Sequence, residues 1–78
     1  MSTKIKQDIC IGNNLKYLRK KSNLSQEQLA IKLQLEGISI SREIISQMER
    51  GKYSIRISLL KQLKIIFNCE YNDFFYNI

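Results

Sequence analysis

Two stretches of this chain, Leu24-Ser25-Gln26-Glu27-Gln28-Leu29-Ala30 and Ser41-Arg42-Glu43-Ile44-Ile45-Ser46-Gln47-Met48-Glu49-Arg50-Gly51, each carry the start signals of a helix. In the first, Ser25 and Gln28 stand at the S-x-x-Q spacing of a capping box, in which each side chain reaches the other residue's backbone N–H. Leu24 and Leu29 occupy the two positions of a hydrophobic staple, which fixes the angle at which the chain enters the helix. In the second, Ser41 is the cap, Ile40 and Ile45 hold the staple positions, and Gly51 is the stop. Signals this strong, repeated within so few residues, commit the middle of the chain to two short helices set almost end to end.

The flanks read as helix too. A first helix is predicted from about Ile9 to Lys21, with Asp8 as its cap and Ile11, Leu15 and Leu18 spaced i, i+4, i+7 as one apolar stripe. Asn23 suits a left-handed C-terminal cap. The Ser25 helix continues through Ala30 and Leu33 and stops near Gly37. A fourth helix spans about Ile57 to Phe67, with Leu60, Leu63 and Phe67 on one face. A last short turn runs from Tyr71 to Phe75, with Cys69 and Phe74 at its staple positions. The chain has no proline and three glycines, and 44 % of its 78 residues are hydrophobic, which suits one small helical domain that folds without cross-links. The fold class predicted is all-α, with five helical segments in one domain over residues 8–78 behind a flexible basic arm, residues 1–7.

Several function classes are excluded by what the chain contains. No apolar run approaches the roughly 18 residues of a membrane span, and the N-terminal MSTKIKQDIC lacks the apolar stretch of a secretory signal, so a cytoplasmic location is expected. Cys10 and Cys69 have no C-x-x-C spacing, and there is no histidine. A zinc site needs about four nitrogen or sulfur ligands, and a cysteine nucleophile needs a base. Both cysteines are therefore read as small hydrophobes of the core. No P-loop, G-x-G-x-x-G or paired-carboxylate signature is present, so no metal, cofactor, small-molecule ligand or enzymatic activity is expected.

Charge is placed unevenly. Residues 1–24 carry six basic groups (Lys4, Lys6, Lys16, Arg19, Lys20 and Lys21) against Asp8, a net of +5, whereas residues 57–78 balance Lys61 and Lys64 against Glu70 and Asp73. A positive arm and first helix suit a polyanionic partner, most simply nucleic acid, although a lysine-rich face kept for solubility has the same composition.

The faces of the third helix carry the chemistry. Ile45 and Met48 point inward with Glu49 beside them, while Arg42, Glu43, Ser46, Gln47 and Arg50 fall on the other side. Arginine can bridge guanine O6 and N7, glutamine can bridge adenine N6 and N7, and glutamate can accept from cytosine N4, so this face has what the major groove of DNA requires. A solvated face of mixed charge would look alike, and the pattern alone leaves both readings open.

The order and spacing of LKYLRKKSNLSQ, LSQEQLA, SREIISQMERG and LLKQLKIIFNCEYNDFF resemble the helix-turn-helix domain of the Cro/CI-type family, from about Ile11 to Phe75. The resemblance implies a five-helix bundle (a lambda repressor-like domain), with helices two and three as the helix-turn-helix. It implies that Arg42, Glu43 and Gln47 read bases, with Ser46 on the same face, and that Ile44 either meets a thymine methyl or closes the core beside Ile45. Gln26, Arg50, Lys52 and Tyr53 match positions that meet the sugar-phosphate backbone; at Gln26 the helix dipole and free N–H groups favour an anion. Arg19 and Glu49 match a partly buried ion pair and are assigned to architecture.

Two departures from the family pattern stand out. QLEGISI lengthens the turn between helices two and three, leaving their angle open, and Lys64 replaces a small apolar residue, which suggests a looser or partly exposed fourth helix. The function expected is a sequence-specific duplex-DNA-binding transcriptional regulator, a repressor on a near-palindromic operator. It would act as a homodimer through Tyr71, Tyr76 and Ile78, which are left over once Phe74 and Phe75 are buried. The alternative is a protein-interaction module, such as an antitoxin or adaptor, on the same fold.

Overall fold

A computed structural model of the chain describes residues 4–5 and 10–77. Helices α1 (Gly12–Lys21), α2 (Gln26–Leu35), α3 (Arg42–Glu49) and α4 (Ile57–Phe67) precede a 3-10 helix, Tyr71–Phe75. The domain is all-α apart from a two-stranded antiparallel ribbon, in which β1 (Lys4–Ile5) pairs with β2 (Ile55–Arg56) in the register Lys4 to Arg56 and Ile5 to Ile55. Four α-helices are thus found where five helical segments were expected. Five residues closed by an i to i+3 bond, Asp73 N–H to Glu70 carbonyl at 3.0 Å, make a 3-10 turn.

The α-helices all stop by the same two bonds. The amides of Asn23 and Leu24 reach back to the carbonyls of Lys20 and Arg19, and those of Gly37 and Ile38 to Gln34 and Leu33. The amides of Gly51 and Lys52 return to Met48 and Gln47, and those of Asn68 and Cys69 to Ile65 and Lys64. This is the Schellman closure, which requires a left-handed residue just beyond the helix. Asn23, Gly37, Gly51 and Asn68 fill that position with φ of 60°, 82°, 72° and 51°. After α1, α2 and α4 the next residue (Leu24, Ile38 or Cys69) is half-buried against the core; after α3 it is Lys52, exposed.

The start of α1 departs from expectation. It begins at Gly12, not near Ile9; Ile11 at the cap position makes no side-chain capping bond, and Asp8 lies outside the described residues. Packing sets this start. A Cβ on Gly12 would lie 2.2 Å from the Glu49 carbonyl oxygen and 2.8 Å from that of Met48, so only glycine lets α1 begin against the end of α3.

One core joins the four α-helices, β2 and the 3-10 helix. Leu15 and Leu18 of α1 meet Leu29, Ala30 and Leu33 of α2, Ile45 and Met48 of α3, and Leu59, Leu60, Leu63 and Phe67 of α4. Ile11, Ile40, Ile55 and Phe74 complete it from the loops, β2 and the 3-10 helix. Phe74 is fully buried, whereas Phe75, expected inside with it, is 46 % exposed, because adjacent residues of a short helix cannot both face one core.

The cysteines also divide. Cys69 is half-buried against the core, and burial, with Asp73 nearby, pushes its thiol pKa up. Cys10 is exposed ahead of α1 and is not a core residue. Lys64 is accommodated in an unbroken α4, its ammonium 5.4 Å from the centre of the Tyr71 ring, a cation–π contact that offsets its half-burial. Within the segment expected as an arm, the backbone of Lys4–Ile5 is tied to β2; two residues are too few to show the alternation that announces a strand.

Candidate nucleic-acid interface

The beginning of α2 is set by its capping box. Gln28 N–H donates to Ser25 Oγ at 3.0 Å, and Ser25 N–H to Gln28 Oε1 at 2.8 Å. Of the amides that a helix start leaves without an intrahelical acceptor, these bonds occupy those of Ser25 and Gln28. The amides of Gln26 and Glu27 remain at the end where the helix dipole is positive. Gln26, half-buried, also turns its side chain inward: Nε2 donates to Glu49 Oε1 at 3.1 Å.

The long connection to α3 is held at several points. Two of its residues extend α2 to Leu35, Gly37 closes that helix, Ile38 and Ile40 return to the core, and Gln34 Nε2 donates to the Ile40 carbonyl at 2.8 Å. Ser41 then caps α3, accepting from Ile44 N–H at 3.3 Å. The eight residues of α3 make a rod of about 12 Å, with Ile45, Met48 and Glu49 buried on its inner side. Arg42, Glu43 and Gln47 are exposed on its outer side, with Ser46 half-buried among them. Ile44 is half-buried and packs against the core. Arg50, Lys52 and Tyr53 follow at the surface beyond the helix.

A buried polar cluster fixes α3 to α1. Arg19 and Glu49 are each 7 % exposed. Arg19 Nε donates to Glu49 Oε2 at 2.6 Å and Nη2 to Oε1 at 3.1 Å, while Nη1 donates to the Leu24 carbonyl at 2.8 Å. Such a two-point contact satisfies both charges where water cannot.

The C-terminal aromatics lie apart from this surface, beside α1. Asn14 Nδ2 donates to the carbonyls of Phe74 and Tyr76, both at 2.9 Å, and so docks the last turn. Tyr76 is 71 % exposed, Tyr71 also reaches the surface, and Ile78 lies outside the described residues. The tether by Asn14, the Gly12 contact and the Gln26–Glu49 bond were not read from the sequence. Each joins residues remote in the chain, and only a glycine inside the first turn predicted for α1, Gly12, hinted at one of them.

Residues 15–74, from α1 to the core phenylalanine of the 3-10 helix, match the helix-turn-helix family. The chain belongs to that family, in its Cro/CI-type branch. This helix-turn-helix protein is similar to an uncharacterized HTH-type transcriptional regulator of Methanocaldococcus jannaschii, with 38 % identity over 63 residues, 81 % of this chain and 88 % of that one. It is similar also to an uncharacterized HTH-type transcriptional regulator of Archaeoglobus fulgidus, with 33 % identity over 61 residues, 78 % of this chain and 79 % of that one. No solved structure matches it significantly. In this helix-turn-helix protein the motif is α2, the Gly37 connection and α3. Among the described residues no helix is long and apolar enough to cross a membrane.

Proposed function

We propose that the protein is a sequence-specific duplex-DNA-binding transcriptional regulator that reads its site with the outer face of α3. The observation that carries this reading is the row Arg42, Glu43 and Gln47, continued by Arg50, exposed on a helix whose opposite side is buried and whose two ends are closed. Forked donors and acceptors on a rigid rod are what base edges in the major groove discriminate, and Ser46 and Ile44 flank that row. Gln26 with the first amides of α2, and Arg50, Lys52 and Tyr53 after α3, would meet phosphates on either side and so set the register.

The +6 net charge favours approach to any duplex, and specificity then rests on α3. Family membership and the regulator names of the two relatives support the assignment. The finer reading is a repressor that occupies a near-palindromic operator as a dimer, with half-sites about one helical turn apart. Tyr71 and Tyr76, exposed together with Phe75, are the described part of the surface through which it would pair.

Selection from random duplex DNA at about 150 mM salt, which penalises purely ionic binding, tests the reading. An enriched two-fold motif is expected, bound at least about 10³-fold more tightly than random duplex. A folded protein that enriches no motif would favour a protein partner, as for an antitoxin or adaptor. For the dimer, sedimentation should show association at tens of micromolar that Tyr76→Ala weakens; an unchanged monomer would place the pairing surface elsewhere.

A further inference from the structure

The carboxylate of Glu49 serves two neighbours of different kinds. Arg19 holds both oxygens, a contact that joins α1 to α3. Gln26 donates to Oε1 from the first residue of α2, at the positive end of that helix's dipole. A carboxylate offers only acceptors, so Gln26 must present its nitrogen to Glu49, with one N–H left over and the carbonyl oxygen turned away. A glutamine free in solvent loses rotamer freedom when a phosphate captures it; one already held loses little.

Resting on the DNA-binding reading above, we propose that Glu49 is a positioning residue for DNA. It holds the Gln26 amide, before DNA arrives, in the orientation whose remaining N–H meets a backbone phosphate. A negative carboxylate beside that site would by itself repel the phosphate, and the Arg19 guanidinium on the same carboxylate offsets the repulsion. Arg19, Glu49 and Gln26 thus form a relay that carries the packing of α1 on α3 to the start of α2.

The test compares affinities for the enriched duplex among wild type, Gln26→Ala, Glu49→Gln and the double variant Gln26→Ala/Glu49→Gln, each checked for folding. Charge alone makes a clear counter-prediction: Glu49→Gln removes a negative group facing a polyanion and should tighten binding. The relay predicts the opposite sign, binding about 3- to 10-fold weaker, the size of one hydrogen bond. Gln26→Ala should show a similar loss with an unchanged salt slope, because no charge is removed, and the double variant should lose nothing more.

Wild-type or tighter binding by Glu49→Gln, or additive losses in the double variant, would overturn the relay while leaving the DNA reading intact. A wild type that binds no duplex would overturn both. Should Glu49→Gln fail to fold, side-chain amide relaxation in the 15N-labelled free wild type decides. A Gln26 amide as ordered as the helix backbone supports the relay, and one as mobile as the exposed Gln47 amide overturns it.

Discussion

Helices α2 and α3 are built alike and present different faces. Each starts on a serine that accepts from the amide three residues on, each stops on a left-handed glycine in the same two-bond closure, and each buries an apolar stripe in the one core. Outward they part. On α2, Ile31 and Leu35 are 51 % and 80 % exposed beside Glu27 and Lys32. On α3 the exposed residues are Arg42, Glu43 and Gln47, with Arg50 following. The shared end devices determine length and entry angle, and they say nothing about use. On the proposed reading the outer faces divide the work: α3 would discriminate base edges, whereas α2 would meet a phosphate through its first turn, at Gln26.

That contrast can be broken most severely by unmooring α3 from α1. Arg19→Ala should cost about 3–5 kcal/mol, because it strands the buried Glu49 charge, and for a domain this size each 1 kcal/mol lowers Tm by roughly 4–8 °C. Glu49→Ala should behave similarly, and the double variant should lose less than the two singles summed; strict additivity in thermal melts would mean the two residues do not act as a pair. Gly12→Ala drives a Cβ into the Glu49 carbonyl and should cost about 1–3 kcal/mol or more by overpacking. A melt unchanged by that substitution would show that α1 need not start where it does.

The face of α3 is tested next. Arg42→Ala should lose about 1–3 kcal/mol on the preferred duplex and relax preference at one base pair, with little change on random DNA. Lys52→Ala should weaken all sequences alike and lower the salt slope by about 0.9; equal behaviour of the two variants would erase the division between reading and positioning. Smallest of all is Leu35→Ser on the outer face of α2, expected to shift stability by no more than about 0.5 kcal/mol and to leave DNA affinity unchanged. A large loss of affinity there would place α2's outer face in contact with DNA.

What could be read from the sequence was local. Ser25 with Gln28, Ser41, the staples and the glycine stops each act within one helical turn, so periodicity and spacing located α2, α3 and α4 to within a few residues, and the inner and outer faces of α3 followed from its pattern. Misses came where distant contacts decide. Gly12 opens α1 because of the end of α3, Cys10 falls outside the core because α1 begins late, and Phe75 is exposed because the last turn is docked through Asn14 and Phe74. The lengthened connection could not be resolved from its composition, since its geometry depends on Gln34 reaching the Ile40 carbonyl. The same limit hid the turn of Gln26 toward Glu49, which no spacing between the two residues announces.

The most direct test of α3 as the reading element is a titration of the 15N-labelled protein with the duplex enriched by selection, following backbone and side-chain amides by NMR. The account predicts the largest shifts at Arg42, Glu43, Ser46 and Gln47, with further shifts at Gln26 and at Arg50 to Tyr53, while Ile31, Leu35 and Tyr76 stay quiet within one protomer's contact with DNA. Shifts concentrated on Ile31 and Leu35, with the outer face of α3 unmoved, would contradict it.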